Sequence, residues 1–187
     1  MELSSQEKQQ LLSLARFSIQ SAFYSDLAEP QLDKDNLLYK SKSGSFVTLT
    51  IDRKLRGCIG YIQSQQELYK TIAEAAYQAA FYDPRFSPLT ENEYENISIE
   101  ISILSEPFPL ESYDEIIIGT HGLIVEEEGR KGLLLPQVPI EHKMSKDEYL
   151  SAICNKAGLY SEYWKEKQLN LKAFTATVFS EADEDLK

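Results

Sequence analysis

The chain has 187 residues, 42% of them apolar, enough to bury roughly two-thirds of its unfolded surface in a core of its own. Eleven tyrosines and eight phenylalanines against eight glycines and seven prolines exclude a disordered, collagenous or low-complexity chain. A net charge of −11 and a pI near 4.7 repel phosphate backbones and argue against a large nonspecific nucleic-acid footprint.

From Met1 to Lys8 no apolar run follows a basic one, so no secretory signal is expected, and no stretch approaches the roughly 20 apolar residues of a membrane helix. Cys58 and Cys154 lie far apart in sequence, and a reducing cytoplasm is their simplest context. Ser4-x-x-Glu7 reads as a capping box ahead of Leu11, Leu12, Ala15, Ile19 and Phe23 at helical spacing, which predicts a helix over 5–24. Pro30 and the polar stretch to Asn36 end it in a loop. Phe46 to Ile51 is β-branched and aromatic, Asp52-Arg53-Lys54 suits a turn, and Leu55 to Ile62 is again strand-like, so a hairpin is expected.

Ser64-x-x-Glu67 reads as a second capping box, with Leu68, Ile72, Ala75, Ala76 and Ala79 on one face of a helix that Asp83-Pro84 stops. Ile97, Ile99, Ile101 and Ile103 alternate with polar residues in the clearest strand of the chain. A further hairpin is expected from Leu123-Ile124-Val125 to Leu133-Leu134-Leu135. Ser145-x-x-Glu148 opens a helix running to Gly158, and Leu171 to Phe179 forms a last strand. Hairpins outnumber strand-helix-strand repeats, which predicts a single α+β domain with a mainly antiparallel sheet and packed helices. The stretch 106–138, punctuated by Pro and Gly, is the candidate for a smaller lobe.

Four blocks stand in order: Leu55-Arg56-Gly57-Cys58-Ile59-Gly60, Asp83-Pro84-Arg85-Phe86-Ser87-Pro88, Gly119-Thr120-His121-Gly122-Leu123 and Gly132-Leu133-Leu134-Leu135-Pro136-Gln137-Val138. In this register the chain closely resembles the AMMECR domain family over nearly its whole length. The resemblance implies an α+β fold of two lobes, the larger built from both ends of the chain, with a cleft between them. It also implies a setting beside a Memo-type protein and a radical S-adenosylmethionine enzyme, and it brings no established reaction. Where the family pattern often has Trp after the Pro-Gln-Val block, this chain has Met144.

Read as a strand, the first block projects Arg56 and Cys58 together and Leu55, Ile59 and Tyr61 to the other side. A guanidinium beside a thiol favours the nucleophilic thiolate. Gly57 and Gly60 leave room beside Cys58 for a ligand or for another backbone, and the plainer reading of Cys58 is an inert buried thiol. His121, in a turn, is a candidate general base or a local hydrogen-bonding residue. Glu100 is the one carboxylate within the isoleucine strand, either a site acid or solvated. Asp83 and Arg85 flank Pro84, and an ion pair bracing that turn is favoured over direct ligand binding. His142 has less to recommend it. No metal-ligand spacing and no phosphate-loop fingerprint is present, so no metal or cofactor is expected. The leading expectation is an enzyme or enzyme subunit acting on a small organic or nucleotide-like substrate near Cys58. The alternative is a noncatalytic adaptor for a Memo-type or radical S-adenosylmethionine partner.

Overall fold

The computed structural model describes residues 3–33 and 35–183. In chain order the elements are α1 (Ser5–Gln20), α2 (Leu37–Lys40), β1 (Ser43–Ile51), β2 (Lys54–Gln63), α3 (Leu68–Phe81), α4 (Glu91–Tyr94), β3 (Ser98–Leu104) and β4 (Phe108–Pro109). There follow β5 (Gly122–Glu127), β6 (Arg130–Leu134), α5 (Val138–Glu141), α6 (Lys146–Lys156), α7 (Tyr163–Glu166), β7 (Leu171–Phe174) and β8 (Ala176–Ser180). The fold is α+β with two four-stranded antiparallel sheets, in the orders β2-β1-β3-β8 and β4-β7-β5-β6. They belong to two compact units, one built from the chain up to Leu104 and from Thr177 onward, the other from Ser105–Ala176. The segment 106–138 lies inside the second unit, which extends well beyond it.

In the first unit α1 begins on the expected capping box, in which Ser4 and Glu7 satisfy each other's backbone N–H groups. It ends at Gln20, short of the expected 24, because Ala22 and Phe23 donate to carbonyls three residues back and tighten the last turn. The alternation of β3 buries Ile99, Ile101 and Ile103 beside Val47 and Leu49 of β1. Onto this face pack Leu11, Ala15 and Ile19 of α1 and Ile72, Ala75, Ala76 and Ala79 of α3, and each buried Leu or Ile contributes about 1.5–3 kcal/mol. The second capping box does not form. Glu67 is the N-cap of α3, the Leu68 N–H donates to the Ser41 carbonyl, and Ser64 Oγ instead accepts from the Gln66 N–H and the Thr71 hydroxyl.

In the second unit the β5–β6 hairpin turns at Glu128 and Gly129, and Leu123 and Val125 face Tyr149, Leu150 and Ile153 of α6. The α6 capping box at Ser145 and Glu148 forms, and Gly158, at φ +74°, ends the helix as expected. The single last strand expected over 171–179 is two. At Thr175 the chain leaves the second sheet for the first, and there the ladder is replaced by Ser105, which donates its N–H to the Thr175 carbonyl and accepts the Thr175 N–H on Oγ. Among the described residues no helix is long and apolar enough to cross a membrane.

Candidate functional site

Strand β2 is the free edge of the first sheet, and the 83–93 segment supplies polar partners along that edge. Asp83 carries a buried carboxylate that accepts the Cys58 N–H at 2.9 Å, the Arg85 N–H at 3.1 Å and the Arg85 guanidinium at 2.6 and 2.9 Å. Arg85 Nη2 also donates to the Cys58 carbonyl at 3.2 Å. The Arg85 guanidinium, helped by the Cys58 amide, holds the Asp83 carboxyl well below the usual carboxylate range against the opposing effect of burial. The expected Asp83–Arg85 pair therefore forms, and it satisfies an edge that would otherwise present unpaired backbone groups.

Both backbone polar groups of Cys58 point to this edge, so Cys58 and its partner on β1, Thr48, form a pair without ladder hydrogen bonds between them. Such pairs bring side chains close. The Thr48 hydroxyl donates to Cys58 Sγ at 3.3 Å. Thr48 is in turn opposite Glu100 on β3, so Cys58, Thr48 and Glu100 stand in one row across three strands, on the face turned away from α1 and α3. All three are half-buried. Cys58 is a free thiol with some solvent access, whereas Cys154 is buried among the α6 contacts, and burial pushes its thiol up.

Arg56 departs from simple alternation. Leu49 pairs with Gly57 and Thr50 with Leu55, so Arg56 is the extra residue of a β-bulge. Its guanidinium donates to Glu93 at 2.9 and 3.0 Å and to the Ser87 carbonyl at 3.0 Å. The Arg56 guanidinium, with the Thr90 N–H, brings Glu93 down to about 2. Nη1 is buried and has no acceptor among the described residues. Arg56 and Arg85 both lie against the Phe86 ring, at 5.8 and 5.6 Å. The bulge also corrects the placing of Leu55, which is exposed and not on the side where Ile59 and Tyr61 pack against the core.

The two glycines have different neighbours. A Cβ on Gly57 would lie 2.1 Å from the Ala79 carbonyl oxygen, so this glycine admits the backbone of α3. On Gly60 it would lie 2.4 Å from the Phe46 ring, which covers Gly60 across the strands.

His121 belongs to the second unit and is almost fully buried. Its Nδ1 accepts the Ile117 N–H at 3.3 Å, which assigns the proton of the neutral ring to Nε2. The ring meets Phe108 edge-on at 5.5 Å, and the His121 carbonyl accepts the Tyr149 hydroxyl. Cys58, Glu100, Arg56, Asp83, Arg85, Gly57 and Gly60 all belong to the first unit. Sequence reasoning missed Thr48 and Glu93. Thr48 had one signal, its place on the polar-facing phase of β1, and Glu93 had the Thr90-x-x-Glu93 spacing of a capping box, which says nothing of Arg56, 37 residues away.

A fold of two α+β units with a Cys-bearing edge strand braced by an Asp-Pro-Arg turn defines the class of this protein. The AMMECR1 family profile matches residues 12–179, and the chain belongs to that family. It is 37% identical over 182 residues to a protein of Aquifex aeolicus, covering 93% of this chain and 92% of that one. Protein MK0488 of Methanopyrus kandleri is 43% identical over 151 residues, 76% of this chain and 73% of its own. The crystal structure of the uncharacterized protein PH0010 from Pyrococcus horikoshii is similar with a TM-score of 0.85 and 34% identity, covering 97% of this chain and 95% of that chain.

Proposed function

We propose that the face of the first sheet turned away from α1 and α3 is a reaction surface around Cys58 for a small organic or nucleotide-like substrate, with Cys58 as its nucleophile. The observation that carries this reading is the row Cys58–Thr48–Glu100, which aligns a partly exposed thiol, a hydroxyl donating to it and a carboxylate on adjacent strands. In this reading Thr48 stabilises charge on the sulfur and Glu100 handles a proton. Asp83 and Arg85 position Cys58 through its backbone, Arg56 fixes the bulge beside it, and Gly57 and Gly60 let the strand take this path. Alkylation of the native protein by iodoacetamide tests the reading. Cys58 is expected to react faster than an ordinary exposed cysteine, and more slowly after Glu100→Gln; a rate no faster than that of a free thiol overturns it.

A second reading, a noncatalytic adaptor for a Memo-type or radical S-adenosylmethionine partner, draws on a specific feature. Asp83 and Arg56 are committed to Arg85, Glu93 and backbone groups, as in a structural brace. A folded Cys58→Ala variant that restores function in a deletion strain decides for the adaptor.

A further inference from the structure

The first unit carries a run of aromatic rings that its core does not enclose. Tyr24 meets Phe23 edge-on at 6.5 Å, Phe23 meets Phe81 at 5.6 Å, Phe81 meets Tyr77 at 4.9 Å, and Tyr77 meets Tyr82 at 6.0 Å. The two ends are open to solvent, with Tyr24 38% and Tyr82 63% exposed. Buried Tyr94 supports Phe23 at 5.9 Å. Beside Phe23 and Tyr24 lies a shallow concavity of about 450 Å³, with Asp26 and Leu27 in its wall. Tyrosines at the ends of such an edge-on and tilted run pair an apolar ring with a polar tip, the composition of binding surfaces more than of a sealed core.

The charges beside the rings that lack an ion partner are acidic. Asp26 lines the concavity, and the Glu91 and Glu95 carboxylates lie near enough to the Tyr24 phenol to push it up, Glu91 most. None of these three carboxylates is in an ion pair among the described residues. The nearby arginines are neutralised, Arg16 by Glu181, Arg56 by Glu93 and Arg85 by Asp83. A flat, weakly hydrated cation that lies on ring faces and closes on a carboxylate is the complement of such a surface, and a guanidinium has that chemistry. The overall charge of −11 attracts a basic segment and repels nucleic acid.

We propose that the run from Tyr24 to Tyr82 docks an extended, arginine-bearing segment of a partner protein, with guanidinium groups stacked on the rings and paired with Asp26 or Glu91. This surface is independent of the Cys58 chemistry. The test is fluorescence anisotropy of the whole chain with a fluorescein-labelled peptide of Gly, Ala and Arg, and with its twin in which citrulline replaces every arginine. The arginine peptide is expected to bind with a Kd of about 10–100 μM, and the citrulline twin, Tyr82→Ala and Asp26→Asn each to weaken binding about tenfold. Tyr82 and Asp26 are exposed, so both variants keep the fold, which a melting curve checks. Tyr160→Ala, at an exposed tyrosine of the second unit, is expected to leave binding unchanged. No saturation up to ~1 mM, equal binding of the citrulline twin, an equal loss in Tyr160→Ala, or tighter binding of a polyuridylate strand than of the arginine peptide would each overturn the inference.

Discussion

Replacing Gly57 by alanine puts a methyl carbon 2.1 Å from the carbonyl oxygen of Ala79 and 3.1 Å from its carbonyl carbon. Carbon and oxygen rarely approach closer than about 3.3 Å, so roughly 1 Å of separation must open. The atoms on both sides are backbone, one from β2 and one from α3, and no side chain can swing away. Moving α3 loosens its Ile72, Ala75, Ala76 and Ala79 contacts with the sheet, and overpacking of this kind costs about 1–3 kcal/mol, here near the upper end. Gly129→Ala is the contrast, since nothing lies within 4 Å of its Cβ and only the left-handed backbone at φ +76° is penalised. That penalty is about 1–2 kcal/mol. Thermal unfolding followed by far-ultraviolet circular dichroism should lower Tm by about 6–12 °C for Gly57→Ala and by a smaller amount, about 2–8 °C, for Gly129→Ala. A Gly57→Ala protein as stable as the parent would refute helix packing as the reason for this glycine and return it to a role in admitting ligand.

Three further outcomes follow from the geometry. Asp83 and Glu93 have folded-state values below their unfolded ones, so their stabilisation is complete above the ordinary carboxylate range of about 4 and is lost as pH falls through the folded values; Arg85→Gln should move the onset of acid destabilisation upward, and an unchanged acid melting profile would contradict this. Thr48→Val removes the donor to Cys58 Sγ and should slow iodoacetamide alkylation by up to about fivefold, an effect of ~1 kcal/mol; an unchanged rate would mean that the hydroxyl contributes nothing at the sulfur. The Tyr149 hydroxyl lies 3.2–3.3 Å from the carbonyls of His121, Leu134 and Leu135, so Tyr149→Phe should destabilise the second unit by about 1–3 kcal/mol in urea unfolding read from Trp164 fluorescence; a shift below ~0.5 kcal/mol would show that water replaces the phenol.

Features set by neighbours along the chain are legible in its residue pattern. The capping boxes at Ser4 and Ser145, the alternation of Ile97 to Ile103, both hairpins and the Asp83–Arg85 brace all depend on residues a few positions apart. Misreadings arise where a distant partner decides. Ser64 has the spacing of a cap, but the Ser41 carbonyl takes the first amide of α3. The run from Leu171 to Phe179 is continuous in pattern, yet Ser105 interrupts it at Thr175. The alternation carried through Leu55 and Arg56 fails because a bulge leaves no mark in hydrophobicity, and the Glu93 bond to Arg56 joins elements with no sequence relation. The row joining Cys58 to Glu100 through Thr48 requires strand register, which composition does not encode.

The inserted Arg56 also determines which way the thiol looks. Next to the turn, Ile51 pairs with Lys54 and Thr50 with Leu55; continued without interruption, that count would set Cys58 opposite Val47, whose side chain is fully buried. Because the bulge takes Arg56 out of the ladder count, Leu49 meets Gly57 and Thr48 meets Cys58, so the glycine rather than the cysteine faces the helix and the sulfur emerges beside a threonine. Drawing Arg56 into the regular ladder as a paired residue, without removing it, would thus turn the strand over from that point on, hiding the thiol without altering a single atom of it.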